Sequence, residues 1–161
     1  MTQEKHSVRI PPNELTLTRM FDAPRDLVFK AWTDPIHLAK WWGPSGFTTT
    51  LKTWEPRSGG AILLDMNAPN GAVYPMSGRF TEVNPSVKLV FTSSALDQQG
   101  NAIFEVLNSI SLAEEGGKTK LTLHTRVLSK RPEADQYLKG QKAGWTQSLD
   151  RLAMLVAGSY G

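Results

Sequence analysis

The chain has 161 residues, of which 40% are apolar and 20% charged, with no cysteine and a formal net charge of +3. This composition predicts a soluble globular protein in a reducing cytoplasm. It excludes an intrinsically disordered chain, a disulfide framework, a thiolate nucleophile and Cys-ligated zinc. Its densest basic groups, Arg126 with Lys130 and Arg131 and Lys139 with Lys142, are interrupted and lack base-stacking aromatics, so they predict a solvated face and no nucleic-acid partner.

Residues 1–14 are polar, carry Pro11 and Pro12, and lack the apolar run of a signal peptide. They are expected to form a flexible segment ahead of a single domain over 15–161. No later stretch approaches the roughly 18 apolar residues of a membrane span, so no membrane partner is expected. Leu15 to Phe21 alternates with period two and reads as a first strand. Asp22 and Pro24 signal a helix start, and Val28, Ala31 and Trp32 give that helix one buried face. Asp34-Pro35 ends it, because the residue before a proline disfavours the helical region, and Ile36 to Trp41 follows as a second short helix. Trp41-Trp42-Gly43-Pro44 then closes a stretch holding three of the five tryptophans.

From Phe47 onward the pattern is strand, turn, strand. Strands are predicted near Thr48–Trp54, Ala61–Met66, Val73–Val83, Lys88–Ser94, Ile103–Leu112 and Thr119–Leu128. Turn compositions separate them, including Ser58-Gly59-Gly60, Pro69-Asn70-Gly71 and Glu115-Gly116-Gly117. Short connections between successive strands predict an antiparallel meander. After Pro132 the period becomes helical. Leu138, Gln141, Trp145, Leu149, Leu152 and Val156 share one face of a long helix that contains Gly140 and Gly144. Each glycine costs about 1 kcal/mol against alanine there, and close packing on the sheet is the favoured explanation over a groove.

This element order resembles the helix-grip fold of the START and Bet v 1-like (SRPBCC) superfamily, an α+β architecture of about seven curved antiparallel strands around a long C-terminal helix. Phe29-Lys30-Ala31-Trp32-Thr33-Asp34-Pro35, Trp41-Trp42-Gly43-Pro44, Pro56-Arg57-Ser58-Gly59-Gly60, Gly78-Arg79-Phe80 with Glu82-Val83, Lys88-Leu89-Val90-Phe91-Thr92, Lys118 to Leu123, and Gly144-Trp145 with Leu149 and Leu152 resemble the activator of Hsp90 ATPase homologue 1-like (AHSA1-like) branch. The match runs from about Leu15 to Val156. The eukaryotic co-chaperone that names the family engages Hsp90 through a separate N-terminal domain, which is not expected here, where fourteen residues precede the first predicted strand. The resemblance therefore implies the fold and its cavity far more strongly than chaperone activity.

In this fold, inward strand residues and the inner face of the long helix line the cavity. The resemblance sets Ile62, Leu64 and Met66 inward, with Phe80, Asn108, Ile110 and Thr125 on the inner faces of later strands. Trp32, Trp41, Trp42, Gln141, Trp145 and Ser148 come from the helices. This lining suits a hydrophobic or aromatic small molecule held by one or two hydrogen bonds. The same residues also suit a filled core in which Asn108 and Gln141 bond buried backbone; the family's cavity favours the pocket. Of two adjacent tryptophans on a short helix, one is expected to cap the cavity or lie exposed at its rim; the equal alternative is that both pack under the end of the sheet and pin the helix turn.

Acid–base chemistry finds little support. His6, His37 and His124 are neither placed on the inner face nor spaced as metal ligands. Asp65 is predicted to point outward, and Glu82 would be turned outward by a bulge after Phe80. Glu55 and Arg57 are predicted to form a surface pair. No nucleophile elbow, phosphate loop or dinucleotide motif is present. No catalytic residue, metal or organic cofactor is assigned. A cyclase- or hydrolase-type enzyme using Glu82, Asn108 or Gln141, and a protein-interaction or co-chaperone-like module, remain as alternatives. Open sheet edges make a homodimer an expectation.

Overall fold

The computed structural model describes residues 13–158. The expected N-terminal segment lies outside the described residues, as does His6, except that Asn13 forms a turn and Glu14 already belongs to the first strand. In chain order the elements are β1 (Glu14–Phe21), α1 (Arg25–Thr33), α2 (Pro35–Trp41), β2 (Thr48–Trp54), β3 (Ala61–Asn67), β4 (Val73–Asn84), β5 (Lys88–Leu96), β6 (Ala102–Glu115) and β7 (Lys118–Lys130). A 3-10 turn at Pro132–Ala134 leads into α3 (Asp135–Lys139) and α4 (Gln141–Gly158).

The strands form one curved antiparallel sheet in the order β1-β7-β6-β5-β4-β3-β2. Five of its six pairings are consecutive hairpins, and β1 closes the far side by pairing with β7, with Leu17 opposite Leu123. Alternation decides which face is covered. Val106, Asn108, Ile110 and Leu112 on β6, and Thr119, Leu121, Leu123 and Thr125 on β7, are buried, while most of their sequence neighbours are partly or fully exposed.

Phe80 faces Phe91 across β4 and β5, and the register then shifts so that Glu82 faces Val90 and Val83 faces Leu89. This bulge turns Phe80 and Val83 inward and leaves Glu82 exposed beside Lys88 at 3.9 Å. Asp65 also points outward, where it pairs with Lys52 at 3.2 Å. Glu55 and Arg57 form the expected surface pair at 3.7 Å.

The two short helices are held by side chains that meet their orphan backbone groups. Asp34 ends α1 and caps α2: its carboxylate accepts from the Ile36 N–H at 2.9 Å, with Pro35 in the first turn of α2. Burial pushes the Asp34 carboxyl up, but the Ile36 N–H and the His37 imidazole outweigh it and hold the group below its usual range. At the end of α1, Trp41 Nε1 donates to the Ala31 carbonyl at 2.9 Å and Trp54 Nε1 donates to the Trp32 carbonyl at 3.2 Å. Indole donors thus satisfy carbonyls that the helix itself leaves free.

The long C-terminal helix expected from the periodicity is present as the 18 residues of α4, but its predicted start is set apart as α3. Gly140 leaves the helical region at φ −91° and ψ 5°, separating α3 from α4. A Cβ at Gly140 would meet nothing within 4 Å, and one at Gly144 would approach only Pro44, at 3.8 Å. Close packing on the sheet is therefore not the reason for these glycines. They border empty space. The C-terminal half of α4 packs in the core through Leu149, Leu152 and Val156, and Arg19 of β1 pairs with Asp150 on its outer side.

Candidate functional site

All five tryptophans gather in one aromatic cluster with Phe80 and Phe91. Ring centroids lie 4.6 Å apart for Trp32 and Trp41, 5.4 Å for Trp42 and Trp145, 5.8 Å for Trp42 and Trp54, and 5.1 Å for Trp54 and Phe80. Edge-to-face contacts of this kind add about 0.5–1.5 kcal/mol per pair beyond area burial. The cluster fills the middle of the space between sheet and helix. Trp41 and Trp42 are both buried, as in the reading in which both pack under the sheet end; neither protrudes, and Trp42 alone of the two also borders the cavity described below. The reason is local backbone: Trp42 is already outside the helix at φ −64° and ψ 133°, so its side chain leaves in a different direction from that of Trp41.

What the cluster does not fill is a partly open cavity of about 320 Å³ at one end of the sheet. Its sheet wall comes from Met66, Tyr74, Pro75 and Met76 of β3 and β4, from Ser93, Ser94 and Ala95 of β5, and from Phe104 of β6. Opposite stand Tyr137 of α3, Gly140, and Gln141, Gly144, Trp145 and Ser148 of α4. Trp42, Gly43, Pro44 and Phe47 form the rim. Among the described residues no Asp, Glu, His, Lys or Arg side chain is in this wall. The space exists because bulky residues stop short of it: serines and alanine on β5 face glycines on the helix side.

The rim is fixed from α4. The Arg151 guanidinium donates to the carbonyls of Lys40, Trp42, Gly43 and Pro44 at 3.1, 3.3, 3.0 and 3.2 Å. Gln147 Oε1 accepts from the Ser45 N–H at 3.0 Å, and Thr49 donates to the Trp42 carbonyl at 2.9 Å. Gly43 takes φ +101°, a left-handed conformation that suits glycine, and so turns the chain from α2 onto the rim.

Of the candidates taken from the sequence, Trp42, Met66, Gln141, Trp145 and Ser148 meet around this cavity. Trp32, Trp41, Ile62, Leu64, Phe80 and Ile110 lie in the packed core beyond it. Asn108 and Thr125 are 1% exposed at the centre of the sheet and are not in the cavity wall. Asn108 Nδ2 donates to the Phe91 carbonyl at 3.3 Å and to Ser93 Oγ at 2.9 Å. Among the described residues, Asn108 Oδ1 and Trp32 Nε1 are buried without a hydrogen-bond partner.

Ser93, Ala95, Phe104, Tyr74 and Tyr137 were not among the residues taken from the sequence. The small-residue run Ser93-Ser94-Ala95 was a signal that could have found the first two. Phe104 reaches the wall because it keeps the phase of Val106 and Asn108 along β6, facing Ala95 of β5 in unbroken register; the irregularity opposite Glu105 and Val106 lies on β7, where Leu128 is the extra residue. The histidines are elsewhere. His124 contacts Glu14 at 2.7 Å on the outer side of the sheet, and His37 contacts Asp34 at 3.2 Å. Among the described residues no group of three or more His, Asp or Glu side chains could hold a metal ion.

A curved antiparallel sheet gripping one long helix supports a ligand-binding domain in general. Residues 22–157 match the family model described as activator of Hsp90 ATPase homolog 1-like protein, and the chain belongs to that AHSA1-like family. A crystal structure of a Chromobacterium violaceum protein is 30% identical, with a TM-score of 0.77, and the match covers 91% of this chain and 98% of that one. An AHSA1 protein of Silicibacter pomeroyi is 26% identical with a TM-score of 0.77, over 91% of this chain and 99% of that one. A Mycobacterium smegmatis protein is similar at 26% identity and a TM-score of 0.77, over 89% and 90% of the two chains. No curated protein matches. Among the described residues no helix is long and apolar enough to cross a membrane.

Proposed function

We propose that this protein binds a neutral hydrophobic or aromatic small molecule in the cavity between the sheet and the N-terminal half of α4. The observation that carries this reading is the wall itself: aromatic and aliphatic side chains, four serine or glutamine groups on facing elements, and, among the described residues, no charged one. A volume of about 320 Å³ lies at the lower end of the range for small-molecule sites. Ser148 supports the reading further. It is 5% exposed, borders the cavity and makes no side-chain hydrogen bond among the described residues, so a ligand can supply its missing partner. An enzyme of the cyclase or hydrolase type is less well supported, because the candidate carboxylate Glu82 faces solvent and no other carboxylate or imidazole borders the cavity.

The test is a titration with N-phenyl-1-naphthylamine, an uncharged dye whose emission rises in apolar surroundings, on the wild type and on Gly144→Leu. The leucine side chain would project from α4 into the cavity, where a Cβ has Pro44 as its only neighbour within 4 Å. Saturable one-to-one binding that weakens at least tenfold in Gly144→Leu, with an unchanged circular dichroism spectrum, is the expected outcome. Equal binding by both proteins would place the dye elsewhere and overturn the proposal. Native mass spectrometry of freshly purified protein would then identify the bound species.

A further inference from the structure

The hydrogen-bond pattern behind the cavity wall says which polar group the ligand carries, given that the cavity is a ligand site as proposed above. Asn108 on β6 faces Phe91 on β5, and Ser93 is its diagonal neighbour two residues along. The chemistry of the contacts fixes the orientation of the Asn108 carboxamide. A backbone carbonyl oxygen can only accept, so the atom that meets the Phe91 carbonyl at 3.3 Å must be Nδ2. The same Nδ2 lies 2.9 Å from Ser93 Oγ, so its second hydrogen is donated to the serine. Ser93 is thereby the acceptor in that bond.

A serine hydroxyl owns one proton. With its oxygen receiving the Asn108 N–H, that proton remains to be donated, and among the described residues the Ser93 side chain makes no other hydrogen bond. Ser93 borders the cavity, and its Oγ is held in place by a residue that is 1% exposed. The wall around it carries Trp42, Trp145, Phe104 and Tyr137, which present aromatic surface, and no cation that would favour a carboxylate ligand.

We propose that the ligand is an uncharged aromatic compound bearing a carbonyl-type acceptor, and that Ser93 is the specificity-determining donor to that oxygen. Asn108 is a positioning residue: it touches no ligand atom and acts by committing Ser93 to the donor role. An aromatic hydrocarbon of the same shape would fill the cavity but leave the Ser93 proton unpaired.

Equilibrium dialysis of 2-acetylnaphthalene against 2-ethylnaphthalene, two neutral probes of nearly equal shape, tests the inference. Wild type and Ser93→Ala are compared by the ratio of ketone to hydrocarbon affinity, which cancels the different hydrophobicity of the probes. The ratio is expected to fall about three- to tenfold in Ser93→Ala, the equivalent of one neutral hydrogen bond, and to be kept in Ser93→Thr. In the same samples the infrared carbonyl stretch of the bound ketone should lie at hydrogen-bonded frequency in wild type and at dry-solvent frequency in Ser93→Ala. An unchanged affinity ratio, or a dry-solvent stretch in wild type, overturns the donor role of Ser93 while leaving the binding reading intact. If neither probe binds saturably, the cavity is not a ligand site and this inference falls with it.

Discussion

Arg131, at the end of β7, holds together the turn that follows β5 and the start of the C-terminal helices. Its Nη1 donates to Asp97 Oδ2 at 3.0 Å and its Nη2 to Glu133 Oε2 at 2.6 Å. The other Asp97 oxygen accepts from the backbone of Asn101 and of Gln99, both at 2.9 Å. The Asn101 N–H and then the Arg131 guanidinium hold the Asp97 carboxyl below its usual range. A depressed folded-state pKa contributes stability that is present above the unfolded value of about 3.9 and is lost as pH falls through the folded value. Asp97→Asn keeps an acceptor for the turn but loses the charge, so it should be less stable than wild type at pH 6. The gap should close toward pH 3. Urea midpoints across that interval check this, and a gap that stays constant with pH would show that the Asp97 charge is not responsible.

At the same scale the sequence placed charged residues well and buried amides poorly. Asp65 and Glu82 could be turned outward from alternation and a bulge alone, because burying an unpaired carboxylate is so unfavourable that a strand phase avoiding it is the better one. Asn108 was equally placed on the inner face, yet nothing in the one-dimensional pattern said that it would reach sideways to Ser93. That bond depends on the register of two strands, which periodicity does not specify.

Among the elements, α4 has two unlike halves. Leu149, Leu152 and Val156 bury its C-terminal half, whereas Gln141, Gly144, Trp145 and Ser148 face the cavity from its N-terminal half. Arg151 stands between the two and ties the helix to the rim through four backbone carbonyls. Three of them follow or end α2, so the guanidinium also offers positive charge where a helix C-terminus favours it. Arg151→Met keeps much of the aliphatic stem and removes every one of these bonds. It should lower stability by about 1–2 kcal/mol and release the rim, seen as faster hydrogen exchange of the Ser45 and Phe47 amides with little change in β6 and β7. Uniform acceleration across the sheet would instead mean that Arg151 supports the whole fold.

The helices also mark where periodicity stopped short. Positions 138–156 keep a helical period through Gly140, so one continuous helix was the natural reading. The break falls at Gly140, a poor helix former whose Cβ position borders empty space, and a single glycine in a helical period does not by itself announce a break. The strands were legible to within a few residues because each has its own alternating face and a turn at each end. A cavity has no such local signature: it is the deficit left when side-chain volumes from five or more elements are summed.

On the scale of the whole molecule, the interior divides into a filled and an unfilled part. The tryptophan cluster, joined by Phe80 and Phe91, occupies the first, and Trp42 and Trp145 are the members that also border the second. The net charge of +3 is carried by residues outside the cavity wall, which holds no cation or anion. If binding is driven by burial of apolar surface in that wall, Coulomb forces contribute little to it, since an uncharged ligand offers no net charge for the surface cations, or for the Arg151 guanidinium engaged by the rim carbonyls, to act on. The affinity for an uncharged aromatic ketone should therefore stay within twofold between pH 5.5 and 8.5 and between 20 mM and 500 mM sodium chloride. Calorimetry should show a negative heat-capacity change at every condition, the mark of apolar burial. A tenfold loss on adding salt would place the ligand against the basic surface, and a sigmoidal loss with pH would require a titrating group at the site. Either result would move the binding site out of a cavity whose walls contain neither.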